Sequence, residues 1–181
     1  MTSYYFDIET TGLDPKENKI ITIQYQQLEM FSGRPISDLI ILKEWESSEK
    51  EILEKFINDT QICGGNDFAF VPTGFNLGFE HNFLKVRTTI NGLPEIDILN
   101  KPFIDLKAIG VLMNGGQFKG SGLDKLTGKE ENGSKIPIYY ENKEYEKIVR
   151  YIEQETKEFL KFSSWLYEKM PKLLKEFKTA L

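Results

Sequence analysis

Residues 4–13 read Tyr-Tyr-Phe-Asp-Ile-Glu-Thr-Thr-Gly-Leu and place two carboxylates, Asp7 and Glu9, at the end of an apolar run. Side chains alternate between the faces of a strand, so both acids point to the same face. Two anions side by side on a half-buried surface repel each other, and their removal from water adds to the cost. A divalent cation relieves both effects. The polar turn Thr-Thr-Gly-Leu that follows favours a metal site over an ordinary strand end with two solvated acids.

The composition is that of a folded globular protein. The 181 residues are 40% hydrophobic and carry a formal net charge of −5, so a single domain over 1–181 with a substantial core is expected. The acidic balance argues against broad coating of nucleic acid, but it allows an enzyme that grips a short strand end through metal ions. The single cysteine, Cys63, and the lack of a long apolar stretch predict a cytoplasmic protein with no membrane association.

The pattern of apolar residues predicts a mixture of strands and helices. The predicted strands are residues 3–8, 19–28, 39–42 and 68–71. The predicted helices are residues 48–58, 77–87, 105–114, 141–169 and 171–180, the last two separated by Pro171. Residues 88–103 are predicted to be an irregular loop, and the glycine-rich residues 115–140 are predicted to be an ordered but mobile excursion. Short connections between the first three strands favour antiparallel neighbours. Together, the predicted strands and helices indicate one α/β domain.

Two further acids lie where helices could aim them at the first strand. Glu80 falls one turn after Asn76, a candidate N-cap for the helix that begins there. Glu155 shares a helix face with Tyr151, because the two are four residues apart. Taken alone, each segment is better explained as an ordinary helix with a solvated acid.

Together the three segments resemble the DEDD 3′–5′ exonucleases. Residues 6–13 are similar to the first motif of that superfamily, and residues 74–84 to its second motif. The third match, Tyr151-x-x-x-Glu155, is similar to the motif of the tyrosine subclass, to which the proofreading exonuclease domains of polymerases belong. The resemblance covers nearly the whole chain. It implies an α/β, ribonuclease H-like fold with flanking helices and a mixed central sheet, whose first hairpin is antiparallel and whose later strands are parallel.

The resemblance also implies hydrolysis of phosphodiester bonds at single-stranded DNA or RNA 3′ ends by two divalent ions, Mg²⁺ or Mn²⁺, about 4 Å apart. By this correspondence Asp7 bridges both ions, Glu9 and Glu155 complete one of them, and Glu80 binds the other through water. Tyr151 orients the attacking water or helps to deprotonate it. The histidine subclass does not fit, because the one histidine, at position 81, belongs to the second motif.

The substrate contacts implied by the resemblance come from the first two motifs. Thr10 and Leu13 meet the terminal nucleotide, while Asn76 and Phe79 lie near the scissile one. Leu13 is equally well explained as a core residue, and Asn76 as a plain helix cap. Since no polymerase domain is attached, a polymerase or another replication or repair partner would act in trans.

The chain departs from the family at two positions, because the second and third motifs of the family carry Asp where this chain has Glu80 and Glu155. The extra methylene moves the carboxylate by roughly an ångström, and octahedral Mg²⁺ is strict about ligand geometry. One alternative is therefore a catalytically weakened nucleic-acid- or partner-binding module on the same scaffold. Another is an α/β protein whose acids are structural. Preserved charge at all four acidic positions favours the enzyme.

Overall fold

Five strands form one mixed sheet in the order β3-β2-β1-β4-β5 in the computed structural model, which describes residues 3–128 and 133–180. The strands are β1 (Ser3–Thr10), β2 (Ile20–Leu28), β3 (Ile40–Lys43), β4 (Val71–Gly74) and β5 (Ile104–Asp105). β1, β2 and β3 are antiparallel neighbours, whereas β4 lies parallel to both β1 and β5. The predicted antiparallel hairpin followed by parallel strands is confirmed.

Helices cover both faces of the sheet. They are α1 (Glu49–Thr60), α2 (Leu77–Ile90), α3 (Lys107–Met113), α4 (Leu123–Thr127), α5 (Ile136–Glu141) and α6 (Tyr145–Thr179). Short 3-10 turns lie at Glu44–Glu46, Ile98–Asn100 and Gly133–Lys135. Within the described ranges, no helix is long and apolar enough to cross a membrane.

The alternation of β1 decides which side chains meet which helix layer. Phe6 and Ile8 are buried in a core cluster with side chains of α1 and α2. Tyr5 points the other way and packs on Phe159 of α6, with ring centroids 4.8 Å apart. Because Asp7 follows the odd-numbered register of Tyr5, its carboxylate faces the α6 side of the sheet.

The fourth strand lies further along the chain than predicted. The prediction placed it at residues 68–71, but the structure has Val71–Gly74. Phe70 is buried just before the strand rather than within it. Pro72 lies inside the strand opposite Tyr4, and the pairing with β5 begins one residue later, at Thr73. A proline has no N–H to donate to a ladder. It is tolerated at position 72 because the β5 ladder does not use that residue.

The predicted break at Pro171 is wrong. The chain turns instead at Lys143, where φ is 58°, and α6 then continues from Tyr145 through Pro171 to Thr179. A proline inside a helix removes one N–H and crowds the carbonyl four residues earlier, here that of Tyr167. Residues 170–180 are all exposed, so water can solvate the freed carbonyl and the helix continues.

The glycine-rich excursion over 115–140 is more regular than predicted. It contains α4 and most of α5, and only residues 129–132 of this prediction lie outside the described ranges. Buried Leu123 anchors α4 in the cluster formed by Tyr5 and α6. The tertiary contact therefore imposes a helix where the local sequence, rich in glycine, does not predict one.

Candidate active site

Three predicted acids converge where β1 ends beneath α6. Asp7 and Glu9 project from β1, and Glu155 projects from the facing turn of α6. Each offers a carboxylate oxygen within 4.8 Å of the others. The strand alternation and the helix position that the sequence predicts therefore bring these side chains together.

Glu80 reaches the same cluster from the first turn of α2. Its side chain is 4% exposed and lies beside that of Asp7. Burial, and next the charge of Asp7, raise the pKa of Glu80 well above its usual range. Its Oε2 is buried without a hydrogen-bond donor among the described residues. A buried carboxyl oxygen with no donor, on a side chain that lies beside another carboxyl group, is an environment that a cation would stabilise.

Asp7 interacts with both Glu80 and Glu155 in this cluster. Burial, and next the charge of Glu155, raise its pKa from 3.8 to about 7. Gln24, directly opposite in the β1–β2 register, donates from Nε2 to Asp7 Oδ2 at 2.8 Å. This hydrogen bond fixes one oxygen of Asp7. The donor set consists of hard carboxylate oxygens, which fit Mg²⁺ or Mn²⁺.

Tyr151 lies one turn before Glu155 on the same face of α6 and is buried. Burial, followed by the charges of Glu155 and Glu9, raises the pKa of its hydroxyl far above 10. The phenol also shares a hydrogen bond with Glu155, which raises the pKa further. With the charges of these acids uncompensated, the phenol of Tyr151 is neutral and can orient a water molecule.

The turn after β1 borders an apolar pocket next to the acids. Leu13 is 84% exposed, so it is not a core residue, and it lines this pocket together with Phe79 and Glu9. Thr10 donates from Oγ1 to the carbonyl of Gly12 at 2.7 Å, which holds the turn closed. The structure therefore places Thr10, Leu13 and Phe79 around one opening beside Glu9.

Asn76 is not the side-chain cap that the sequence suggests. It occupies the N-cap position of α2 with φ 76°, and its side chain makes no capping hydrogen bond. Asp105 at the end of β5 does this instead, since its carboxylate accepts from the backbone N–H groups of Asn76 and Leu77, both at 2.9 Å. The Asn76 side chain is thereby left exposed on the wall of the pocket that contains Asp7.

This pocket has a volume of about 310 Å³ and is lined by Asp7, Glu155 and Tyr151. Phe75, Lys107 and Asp124 also line it. An acidic floor with a basic side chain on one wall suits a ligand that combines negative charge with an intervening cation.

The family model of the RNase H superfamily matches residues 4–167. The chain belongs to the RNase H superfamily. An uncharacterized protein of Methanocaldococcus jannaschii is 31% identical to it over 167 residues, which cover 81% of this chain and 80% of that protein. The superfamily resemblance predicted from the three motifs is thereby confirmed.

Solved structures of E. coli exonuclease I share this RNase H superfamily fold. The zinc-bound complex with ssDNA has a TM-score of 0.63 at 11% identity, covering 98% of this chain and 43% of that chain. The complex with a dT13 oligonucleotide has a TM-score of 0.60 at 12% identity, covering 97% and 43%. The chain thus spans about two fifths of the length of exonuclease I. At this identity the likeness shows a common fold.

Gln24 and Asp105, which both contact residues of the site, were not among the predicted site residues. Gln24 had a visible signal, since Thr22, Gln24 and Gln26 are polar residues on one face of β2. Phe75 lies inside the match to the second motif, and Lys107 is one of several scattered basic residues that the sequence does not mark as a site. Asp105 gave no signal, because its contacts join segments that lie far apart in sequence. Asp105 acts on α2 across 28 and 29 residues.

Proposed function

We propose that this protein is a metal-dependent 3′–5′ exonuclease of the tyrosine subclass that hydrolyses single-stranded DNA or RNA from its 3′ end. The observation that carries the proposal is the convergence of Asp7, Glu9, Glu80 and Glu155 beside Tyr151. An RNase H superfamily fold supports the same reading. The coarser conclusion, a nuclease-like domain, follows from the fold and the carboxylate cluster.

Each acid has a distinct part in the proposed reaction. Asp7 would hold both metal ions, Glu9 and Glu155 would complete one of them, and Glu80 would serve the other through water. When bound, the ions supply a lowered pKa for the attacking water and stabilise charge on the leaving oxygen. Gln24 keeps Asp7 in place through its 2.8 Å hydrogen bond.

Tyr151 positions the attacking water in this proposal. Its neutral hydroxyl, with a pKa raised by burial and by Glu155, can donate one hydrogen bond and accept another. Tyr151 would orient the water or help to deprotonate it, and a bound metal ion would lower the pKa of that water.

The terminal nucleotide is proposed to occupy the apolar pocket beside Glu9. Leu13 and Phe79 offer apolar surface to a base, and the Thr10–Gly12 turn approaches the sugar. Asn76, left free by Asp105, faces the scissile nucleotide. A single strand is the proposed ligand because exonuclease I, which shares the fold, has been solved with ssDNA and with dT13.

Three broader expectations belong to the same proposal. Residues 1–181 act as one exonuclease domain, a polymerase or another replication or repair protein acts with it in trans, and the protein works in the cytoplasm. The cytoplasmic location stays a prediction from the single cysteine, Cys63.

The test is incubation with end-labelled single-stranded DNA and RNA in the presence of Mg²⁺ or Mn²⁺. Stepwise shortening from the 3′ end is expected for the wild type and not for Asp7→Asn. The matched control Asp38→Asn removes an exposed acid and should cleave as the wild type does. Retained binding without shortening, on every substrate and with either metal, would favour the weakened binding module instead.

A further inference from the structure

Residues 117–121 form a turn that projects beside the pocket between α3 and α4. The Asn114 amide donates to the carbonyls of Gln117 and Lys119, at 2.8 and 3.0 Å. The buried Ser121 donates from Oγ to the carbonyl of Phe118 at 2.8 Å. Because these hydrogen bonds hold the backbone from both sides, the direction in which this turn projects is set by the fold.

The same turn is tied directly to the wall of the pocket. Lys107 donates from Nζ to the carbonyl of Ser121 at 3.1 Å, and its ammonium lies 5.4 Å from the ring centroid of Phe75. Lys107 and Phe75 both line the pocket that contains Asp7. A continuous path therefore leads from the acids, past Lys107, to the 117–121 turn.

The turn presents an aromatic ring and a positive charge to solvent. The side chain of Phe118 is 76% exposed, although hydrogen bonds fix the backbone of the turn that carries it. Lys119 is exposed as well, and no described carboxylate lies within ion-pair distance of its ammonium. An exposed aromatic ring beside lysines that have no carboxylate partner among the described residues is the combination that binds single-stranded nucleic acid, where the ring stacks on a base and the ammonium groups meet phosphates.

Charge bears on how a strand approaches the acids. The chain has a net charge of −5, and the acids of the pocket repel a polyanion. Among the described residues that line the pocket, Lys107 is the single basic one, and Asp124 lies there as well. Lys107 and the exposed Lys119 therefore supply positive charge beside the pocket, which attracts the phosphates of a strand.

We propose that Lys107, Phe118 and Lys119 form a track that binds the nucleotides upstream of the scissile phosphate. Phe118 stacks on a base, while Lys107 and Lys119 contact successive phosphates. The track rests on the proposed function, and it adds the prediction that the enzyme prefers strands of several nucleotides to dinucleotides. A hydrophobic protein partner, for which Leu112 and Met113 nearby offer exposed surface, fits the lysines less well.

The first experiment compares two substrate lengths. A dinucleotide occupies only the pocket, whereas a 12-nucleotide strand also reaches the track. We expect Phe118→Ala to lower kcat/KM for the longer strand by about tenfold or more, and to leave the dinucleotide unchanged. Phe31→Ala, which removes an aromatic side chain that is 84% exposed on another turn, should change neither. Loss on both lengths, or on neither, would overturn the stacking role.

The second experiment measures binding of the same 12-nucleotide strand against salt concentration, by fluorescence anisotropy with Ca²⁺ in place of Mg²⁺. Each lost phosphate contact should reduce the slope of log K against log salt by about 0.7 for Lys107→Gln and for Lys119→Gln. Lys107→Arg keeps the charge and should keep the slope, as should Lys50→Ala on α1. Unchanged slopes in the two Gln variants would overturn the lysine contacts.

The two proposals fail in different ways. If the wild type cleaves both lengths and all variants behave like their controls, the exonuclease proposal stands and the track is wrong. If the wild type neither binds nor cleaves any strand, the proposed function is wrong and the track falls with it.

Discussion

Protonation and metal binding compete at Asp7. Its pKa is raised from 3.8 to about 7, first by burial and then by Glu155. Between about pH 4 and 7 the folded state keeps a proton that the unfolded chain has released, so the free energy of unfolding falls as pH rises through this window. We expect the melting temperature in EDTA to drop by on the order of 5 °C from pH 5 to pH 8.

Variants and metal separate this effect from other titrations. Asp7→Asn should reduce the pH dependence without abolishing it, because burial also raises the pKa of Glu80, whereas the exposed-site control Asp38→Asn should leave it unchanged. Added Mn²⁺ should raise the melting temperature more at pH 8 than at pH 5, because at pH 8 the ion displaces no proton from Asp7. A wild-type protein that grows more stable from pH 5 to pH 8 in EDTA would contradict the raised pKa.

Substitutions at Glu80 and Glu155 test whether the geometry of the site requires Glu rather than Asp at these positions. In the structure both side chains reach the Asp7 carboxylate. Shortening either one to Asp withdraws a carboxylate by one methylene, so we expect cleavage rates to fall by about tenfold to a hundredfold in Mg²⁺. Glu153→Asp, on an exposed face of α6, should have no effect. A gain in rate for Glu80→Asp or Glu155→Asp would show instead that the longer side chains impair positioning.

At the scale of elements, an ion pair joins α1 to α2 beneath the turn that carries Leu13. Arg87 contacts Glu49 through two hydrogen bonds of 2.8 and 2.6 Å, and Glu49 also accepts from the backbone N–H of Ile20 at 2.8 Å. Arg87 further donates to the carbonyl of Pro15 at 3.3 Å. The pair therefore links both helices to β2 and to the β1–β2 turn.

Breaking this pair should be costly, because the partner stays buried without its counter-charge. We expect Arg87→Ala to lower the free energy of unfolding by about 3–5 kcal/mol, measured by urea denaturation. Lys50→Ala removes an exposed pair with Glu54 at 3.8 Å and should cost less than about 1 kcal/mol. The double variant Arg87→Met, Glu49→Leu should be more stable than Arg87→Ala; if it is not, the buried unpaired charge is not the cause.

The sequence predicted the elements whose limits are set locally. β1 and β2 were predicted close to their observed limits, and Ser48 caps α1 by accepting from the N–H of Glu51 at 3.2 Å. β4 was placed three residues too early because the apolar run around Phe70 resembles a strand, whereas the ladders with β1 and β5 select Val71–Gly74. Long-range pairing overrode local pattern there.

The candidate site likewise contains features that local sequence patterns predict and features that depend on long-range contacts. The motifs predicted the acids of β1 and α6 that the structure brings together, because strand and helix periodicity fix their faces. The contact of Gln24 with Asp7 depends on the register of β1 and β2, and the capping of α2 by Asp105 depends on where β5 joins the sheet. These contacts depend on tertiary structure, which the spacing of residues along the sequence does not reveal.

At the scale of the whole molecule, the net negative charge opposes the binding of nucleic acid that the proposed function requires. A net charge of −5 repels nucleic acid at long range, and the acids in the pocket repel it at short range. In the proposed exonuclease, divalent ions would offset the second effect, and the Lys107–Lys119 track would offset part of the first. Such a molecule would engage one strand end at a defined place and would not coat a polymer, as the proposed function requires.

The packed body of the molecule ends before the end of α6. Residues 170–180 are all exposed, including Leu173, Leu174 and Phe177 at 53, 54 and 61%. We expect a chain ending at Lys169 to melt within about 2 °C of the full chain and to cleave equally fast, because it loses no buried apolar surface. The matched control is a chain ending at Leu160. It also removes Phe162 and Leu166, which are buried against Tyr5 and its neighbours, and should lose several kcal/mol of stability.

Circular dichroism melting and the end-labelled strand assay measure both truncations. A loss of stability at Lys169 as large as that at Leu160 would show that the apolar face of residues 170–180 is covered in the intact protein. A concentration-dependent melting temperature of the full chain, absent from the shorter one, would identify a second copy as the cover. An unchanged melting temperature at every concentration places the whole folding unit, including all four acids, within residues 1–169.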